Sequence, residues 1–425
     1  MSRPWRQQNP RVTPDEQRFT EFSGVVNTRS RKDLGLKALY DGTNVVISDS
    51  KKVTRRDGYS ILRSSNVRSA YSCGGRLYIV DGSTLYHMAS VLDMRVLTTG
   101  LTTGSTEIDN YHWDDINGDA FFANGVDAGI CRGDAYLPWR LTTPTISGAY
   151  CDTPQPTRGE EYDIGATMGA TYDKATFRIC ATYETEDGRE TAPSEVVVLR
   201  GSPLTNLIRV EIPPYYARTH VYTTAADGSN FQRAASTSAG TVTFNPTRTS
   251  REFDAFGTSS LPPGVTHIAF LKGRAYAAQY LPAGNQTVVW FSKPLAFHLW
   301  DLANDYLMLP GELSLMLWNN KGLLLGTTQA IYQYEEGGDL EMLVDYGVVP
   351  GVAGDTDAEG MAYFWTERGI CKAMPFENLT EKDVSMPAGL RATAALVYHN
   401  GQQQFIAVTQ GTGDNFNSRT ERALL

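Results

Sequence analysis

Residues 320–334 read NKGLLLGTTQAIYQY, and this run of a glycine turn, apolar β-formers, a second turn and another apolar strand decides the fold. Related phrases surround five other glycines, which are Gly75, Gly118, Gly273, Gly360 and Gly401. Neighbouring copies are 43, 49, 38 and 41 residues apart, but 155 residues separate Gly118 from Gly273. A period of about 40–50 residues, built of short strands, is typical of β-propeller blades. We therefore predict an all-β protein with a propeller of five to seven blades, most simply six.

The long interval holds roughly 110 residues more than one period, which is enough for a domain with its own core. We predict an inserted β-sandwich at residues 145–258, where TFRICATYETEDGRETAPSEVVVL reads as two strands around Asp187-Gly188. The other predicted segments are a basic N-terminal arm at 1–37, propeller parts at 38–144 and 259–411, and a loose polar tail at 412–425. An early strand at 44–47 is expected to complete the last blade and close the ring.

Charge is unevenly distributed along the chain. Of the 425 residues, with a net charge of −9, residues 1–68 hold 14 Lys/Arg and 7 Asp/Glu, and the remainder hold 24 and 40. A basic arm on an acidic body indicates self-association or docking to an acidic neighbour. The candidate docking residues are Arg29, Arg31, Lys32, Arg55 and Arg56. A solvated surface and direct contact with nucleic acid are the alternatives for this cluster.

The sequence contains no pattern that indicates a catalytic, cofactor or metal site. It has no phosphate-binding glycine loop with a following lysine, no G-x-S-x-G and no H-x-x-x-H. The adjacent acids Glu160-Glu161 and Glu335-Glu336 would point to opposite faces of a strand, so neither pair forms a two-carboxylate site. We therefore expect no enzymatic activity, no cofactor and no bound metal.

Other features concern the compartment and the strand ends. The five cysteines form no C-x-x-C pair, which indicates reduced thiols in a reducing compartment. No secretory signal or membrane-spanning run is recognised. The pairs Trp113-Asp114 and Trp300-Asp301 lack the Gly-His that accompanies them in WD40 repeats. They indicate aromatic packing at the end of a strand instead.

Several phrases, taken in order, resemble tail proteins of bacteriophages. They are DGTNVVISDSKKVTRRDGYSIL at 41–62, AFFANGVDAGICRGD at 120–134, TYETEDGRETAPSE at 182–195, HIAFLKGRAYAAQ at 267–279 and FWTERGICKA at 364–373. The resemblance covers most of residues 38–408 and is to the tail-nozzle, or packaged-DNA stabilisation, proteins of short-tailed phages. Within the insert, GRETAPSE and the later VYTT–DGS hairpin resemble fibronectin type III domains.

This resemblance implies a structural protein of the virion tail, made in the host cytoplasm. Its subunits would form a ring, generally hexameric, that extends the tail channel beneath the portal and adaptor and helps to retain and then conduct the genome. The implied partners are further copies of the chain, the portal, adaptor and other tail proteins, and genomic DNA passing through the lumen without sequence-specific contacts. The alternative is a glycan-binding or glycan-degrading propeller that acts in host-surface recognition.

Overall fold

The computed structural model describes most of the chain, namely residues 24–30, 32, 38–40, 45–47, 52–55, 67–90, 93–103, 111–152, 175–201, 207–247, 256–399, 402–411 and 420–424. Within these residues the structure is built of strands, with one short 3-10 turn at Pro282–Gly284 and no α-helix. The strands form ten sheets, and nearly all neighbouring pairs are antiparallel. The prediction of an all-β protein is therefore confirmed.

Two small sheets come first. They are formed by β1 (Gly24–Val25) with β2 (Ala38–Leu39), in parallel, and by β3 (Val45–Ile47) with β4 (Val53–Arg55), antiparallel. The early strand expected at 44–47 is thus present as β3. Its recorded partner is β4 rather than a strand of the last sheet.

Two four-stranded antiparallel sheets follow, each with its strands paired in chain order. Sheet 1 consists of β5 (Val67–Cys73), β6 (Arg76–Asp81), β7 (Thr84–Ser90) and β8 (Asp93–Thr99). Sheet 2 consists of β9 (His112–Ile116), β10 (Asp119–Ala123), β11 (Ala128–Arg132) and β12 (Ala135–Pro138).

Seven strands then form a separate unit of two packed sheets, here called the sandwich. They are β13 (Gly148–Asp152), β14 (Ala175–Glu184), β15 (Val197–Gly201), β16 (Leu207–Glu211), β17 (Arg218–Thr223), β18 (Gln232–Thr237) and β19 (Thr241–Phe244). The sheet orders are β13-β16-β19 and β15-β14-β17-β18. Phe177 and Ile179 from the larger sheet meet Ile208 and Phe244 from the smaller one in a single core.

Four more sheets complete the chain. Sheet 3 consists of β20 (His267–Leu271), β21 (Arg274–Leu281), β22 (Gln286–Lys293), β23 (Ala296–Trp300) and β24 (Tyr306–Pro310). Sheet 4 consists of β25 (Leu313–Trp318), β26 (Leu323–Thr327), β27 (Ile331–Tyr334) and β28 (Leu340–Val344). After β29 (Gly351–Val352), sheet 5 consists of β30 (Gly354–Thr356), β31 (Ala362–Thr366), β32 (Gly369–Ala373) and β33 (Glu377–Asn378). Sheet 6 adds β34 (Arg391–His399), β35 (Gln402–Gln410) and β36 (Thr420–Leu424) to β29.

The end of the chain differs from the expectation of a loose tail. Thr420–Leu424 pairs with Ile406–Gln410 and supplies the outer strand of sheet 6. The polar composition of residues 412–425 concealed this strand, because an edge strand needs only its backbone groups to pair.

Sheets 1–6, here called the sheet body, pack face to face in series. Phe121 of sheet 2 lies against Phe270 of sheet 3, with ring centroids 4.6 Å apart. On the opposite face of sheet 3, Tyr276 packs with Leu323 of sheet 4. Sheet 3 is therefore apolar on both faces, which explains its continuous apolar runs. Each large side chain that is buried in this way contributes roughly 1.5–3 kcal/mol.

Short polar side chains build the turns between second and third strands. Asn124 Oδ1 accepts the N–H groups of Val126 and Asp127, at 3.0 and 2.7 Å. Thr327 Oγ1 accepts two N–H groups in the same way, and Thr366 Oγ1 accepts one. These side chains satisfy turn donors locally, so the hairpins of sheets 2, 4 and 5 follow from the sequence phrase itself.

The two connections to the sandwich leave the sheet body at one place. The Arg140 guanidinium donates to the Leu261 and Pro262 carbonyls, at 3.1 and 3.0 Å. Beside it, the buried Trp139 indole donates to the Phe297 carbonyl at 2.8 Å. The outgoing and returning chains are thus held side by side before the sandwich begins.

Deleting residues 145–258 and bridging the ends with a short Gly/Ser linker should leave the sheet body folded, because Arg140 already holds the ends together and loop-closure entropy changes slowly with length. A single cooperative thermal transition, measured by calorimetry, is the expected result. The same deletion with Arg140→Ala should melt at a lower temperature. A deletion variant without a cooperative transition would contradict the two-unit description.

Candidate functional site

The first strands of sheets 2 to 5 and strand β34 of sheet 6 lie side by side, and they are here called the inner strands. In this series β9 adjoins β20, β20 adjoins β25, β25 adjoins β30, and β30 adjoins β34. The buried polar side chains on these inner strands, which include His112 and His267, are the candidate site.

Asp114 on β9 connects two inner strands. Its Oδ2 accepts the Phe270 N–H of β20 at 2.6 Å, and its Oδ1 accepts the Asp115 N–H at 2.9 Å. Burial raises the pKa of Asp114 to about 7, although these two N–H bonds act in the opposite direction. The carboxylates of Asp115 and Asp355 add to the rise, since like charges disfavour ionisation.

Asp355 on β30 makes the same connection elsewhere in the series. Its Oδ2 accepts the Leu396 N–H of β34 at 2.9 Å, and its Oδ1 accepts the Thr356 N–H at 2.8 Å. Burial is also the main cause that raises the pKa of Asp355. The two aspartates are 241 positions apart in the sequence. Each one nevertheless links its own inner strand to the inner strand of the next sheet by a hydrogen bond, and we call such a residue a staple.

Two buried histidines lie at the start of the inner strands of sheets 2 and 3. The rings of His112 and His267 are in contact, with centroids 3.7 Å apart and an interplanar angle of 37°. Burial lowers the pKa of both, to about 4 for His267, and His267 further lowers that of His112. Thr266 Oγ1 lies 2.9 Å from His267 Nδ1. Both rings are therefore neutral at pH 7 and pack as flat, polar-edged core groups.

The chemistry of this region is that of a structural joint. Each carboxylate already accepts two backbone N–H groups, which offsets the cost of burying it. Over the described residues, no group of three or more His, Cys, Asp and Glu side chains is arranged to hold a metal ion. The Trp-Asp pair at 113–114 was interpreted only as aromatic packing. Trp113 does stack on Tyr71, at 5.4 Å, but the role of Asp114 was missed.

The structure describes three of the five candidate docking residues. Arg29, Lys32 and Arg55 are exposed, on the short N-terminal sheets and the segments between them. Arg31 and Arg56 lie outside the described residues. The arm is tied to the sheet body at Asn27, whose N–H donates to the Asp383 carbonyl at 2.9 Å and whose Nδ2 donates to the Ser385 carbonyl at 3.0 Å.

Of the two acidic pairs considered for a glycan-degrading protein, the structure describes one. Glu335 and Glu336 are exposed in the turn after β27, where Glu336 Oε1 lies 3.4 Å from Arg274 Nε. Glu160-Glu161 lies outside the described residues. No helix in the described part of the chain is long and apolar enough to cross a membrane.

A polar contact joins the sandwich to the sheet body through residues 185–190, here called the docking hairpin. Asp187 Oδ2 accepts from Arg189 Nε at 2.7 Å and from Arg132 Nη1 of sheet 2 at 3.3 Å. Arg189 Nη1 donates to the Pro138 carbonyl at 2.9 Å. The His298 Nε2 of sheet 3 lies 2.9 Å from the Glu190 carbonyl. Sequence reasoning found the Asp187-Gly188 turn but not its docking role.

Comparison with known proteins gives no family assignment. No family model matches the chain, and no curated protein matches it. Among solved structures, an extracellular domain of a hybrid two-component system from B. thetaiotaomicron is 13% identical, with a TM-score of 0.28, over 74% of this chain and 32% of that one. This chain thus spans about a third of that structure's length.

Two further solved structures are similar at the same level. A gluconolactonase from Xanthomonas campestris is 13% identical with a TM-score of 0.25, over 69% of this chain and 80% of that one. AztD from Citrobacter koseri is 12% identical with a TM-score of 0.27, over 78% and 88%. Scores this low carry no functional argument, so the function has to be argued from this chain.

Replacing Asp114 by Asn should flatten the pH dependence of stability above pH 5. The folded state holds the Asp114 proton up to about pH 7, whereas the unfolded state releases it near 4, so wild-type stability falls as the pH rises through this window. Between pH 5 and 8 the free energy of unfolding of the wild type should fall by about 1–3 kcal/mol more than that of Asp114→Asn. Denaturant unfolding at several pH values measures this, with Asp339→Asn as the exposed control. Parallel curves for wild type and Asp114→Asn would contradict the buried staple.

His267 should act in the opposite direction. Its pKa of about 4 in the folded state lies below the usual 6.5. The contribution of His267 to the free energy of unfolding is therefore fully present above pH 6.5 and is lost as the pH falls towards 4. His267→Gln should therefore remove part of the acid sensitivity between pH 7 and 4.5, whatever its effect at pH 7. Denaturant unfolding at these two pH values is the measurement, and an unchanged acid sensitivity would refute the assignment.

Proposed function

We propose that sheets 1–6 are the blades of a six-bladed β-propeller and that the sandwich is a fibronectin-III-like insertion between blades 2 and 3. The single series of inner strands supports a ring. In a ring of six, blades 2 and 5 lie opposite each other across the axis, and Asp114 and Asp355 are the two staples of those blades. The charge of Asp355 contributes to the raised pKa of Asp114, which supports a position of the two groups on the same central axis.

Closure of the ring requires sheet 1 to meet sheet 6. Ile79 and Met88 lie on the face of sheet 1 that is turned away from sheet 2, and they are only 4% and 6% exposed. Their burial supports a neighbour on that side. Ala395 and Val397, on the face of sheet 6 turned away from sheet 5, are exposed, so this face does not add support for closure.

The sandwich supports the fibronectin-III-like assignment by strand count and by its division into sheets of three and four strands. It has one irregular feature. The last strand, β19, pairs with β16, which places β16 in the middle of the smaller sheet.

We further propose that the chain is a structural subunit of the tail of a short-tailed phage. It would assemble into a ring, most simply a hexamer, that extends the tail channel and helps to retain and conduct the genome. The observation that carries this is the ordered resemblance over residues 38–408. It is supported by the position of the resembling phrases, which form the β3–β4, β10–β11, β20–β21 and β31–β32 hairpins and the docking hairpin.

Charge supports the same role. The chain beyond residue 68 holds 24 Lys/Arg and 40 Asp/Glu, so a duct built from it would repel phosphates and let DNA slide. A basic duct would bind the DNA backbone through release of counterions. The basic N-terminal segment, with Arg29, Lys32 and Arg55 exposed, is suited to dock on the acidic surface of a neighbouring subunit.

Native mass spectrometry of the full chain should show a ring whose mass is a multiple of 46.8 kDa, six-fold in the simplest case. Replacing Arg29, Lys32 and Arg55 by Glu should raise the subunit concentration at which half of the chains are assembled by about tenfold or more. The reason is that each contact contributes of order 0.5 kcal/mol to the free energy of assembly. The thermal midpoint should change little, because all three side chains are exposed.

Arg209→Glu, on the outer face of the sandwich, is the matched charge reversal. It should leave assembly unchanged if the N-terminal surface is specific. A full chain that stays monomeric at high concentration, both alone and with tail and portal proteins, would overturn the proposal. Binding of such a monomer to host-surface glycans would favour the alternative of a recognition protein.

A further inference from the structure

The sandwich and the sheet body have separate apolar cores. The clusters that contain large buried side chains of the sheet body include none from strands β13–β19, and the sandwich core includes none from sheets 1–6, as far as the described residues extend. A contact between domains that lacks a shared core permits relative motion, because little apolar area is lost when it opens.

Outside the connecting segments, polar contacts hold the sandwich against the sheet body. Within the described residues, these contacts come from one short element of the sandwich. The docking hairpin reaches sheet 2 through Asp187–Arg132 and Arg189–Pro138, and it reaches sheet 3 through Glu190–His298. Within the hairpin, Arg189 and Asp187 are 12% and 16% exposed, whereas Arg132 on the sheet body is 46% exposed, so the contact is shielded from solvent on the side of the sandwich.

The docking hairpin is also rigid within the sandwich. The Glu190 carboxylate accepts from Thr182 Oγ1 at 2.6 Å, from Arg233 Nη2 at 3.2 Å and from the Tyr222 hydroxyl. Thr185 Oγ1 donates to Asp187 at 2.5 Å and so fixes the turn. Because the hairpin cannot move independently of β14 and β17, its docking sets the position of the whole sandwich.

The connecting segment supplies a pivot. Arg140 is bonded to the sheet body, and the first sandwich strand begins at Gly148. Residues 142–145 between them belong to no strand, and Ile146 already packs against the sandwich core. Thr142 reaches the sandwich by a long bond of 3.3 Å from its N–H to the Tyr216 hydroxyl.

We propose that the sandwich is a hinged arm that pivots at residues 142–145 and is latched in its docked position by Asp187 and its two arginines. Asp187 is the centre of the latch because both guanidiniums share its Oδ2. Although burial opposes ionisation, the Thr185 and Arg189 hydrogen bonds and both arginine charges keep the pKa of this carboxyl below its usual range. Loss of this carboxylate removes the bond to Arg132 and the support of Arg189, so it weakens the docking while both cores stay intact. This inference does not depend on the proposed tail function.

The test is a distance distribution between spin labels in the full chain. Labels at Thr243→Cys on the sandwich and Glu341→Cys on sheet 4, in a Cys151→Ser background, report the arm's position from two exposed sites. The wild-type latch should give one narrow distribution. Asp187→Asn should broaden it and raise the open population about tenfold, since a charge-assisted hydrogen bond contributes at least the 1.4 kcal/mol that corresponds to this factor.

Glu211→Gln is the matched control, since it removes the Arg209–Glu211 pair on the sandwich without touching the sheet body. It should keep the narrow distribution. Arg132→Ala, made outside the sandwich, should broaden the distribution as Asp187→Asn does, and it covers the case in which Asp187→Asn destabilises the hairpin itself. Identical narrow distributions for wild type, Asp187→Asn and Arg132→Ala would overturn the proposal.

Discussion

Face-to-face packing of sheets that are apolar on both sides is the constraint on which the rest of this structure depends. Sheet 3 shows it most clearly, since Phe270 enters the core shared with sheet 2 while Tyr276 enters the core shared with sheet 4. A sheet of this kind has to be covered twice, so the sheets can only follow one another in series. Chemistry and recognition are thereby left to the turns, the strand edges and the inserted unit.

The inner strands carry carboxyl groups in the interior, where burying a polar group without hydrogen-bond partners costs free energy. Asp114 and Asp355 are acceptable there because each satisfies two N–H groups, one of them on a strand of another sheet. A carboxylate that bonds a particular N–H also penalises any other alignment of the two strands, since the charge would then be left without donors. These two residues therefore specify how neighbouring sheets are aligned, a task for which apolar contacts are poorly suited.

The parts of the structure that could be predicted are those that depend on neighbours in the sequence. The turn at Asn124 and the turn at Thr327 are closed by their own side chains, so the repeated phrase was sufficient to find the hairpins. The Asp114 bond to Phe270 spans 156 positions, and the Arg132 bond to Asp187 spans 55, so no local pattern reveals either one. The outer strand β36 was missed because its pairing requires backbone groups and no apolar side chains. The basic residues of the arm were chosen by charge alone, and their partners remain a prediction.

The position of Arg140 has a mechanical consequence. Its guanidinium bonds the Leu261 and Pro262 carbonyls, so the two chains that carry the sandwich are joined where they meet the sheet body. A force that pulls on the sandwich is therefore shared between both chains, at this clamp and at Ser259, whose backbone exchanges two hydrogen bonds with Trp300 of sheet 3. The Trp139 indole, bonded to Phe297 beside the clamp, anchors it in the core between those sheets. The insertion point therefore distributes a pulling force over both chains, so that no single strand of the sheet body has to carry it alone.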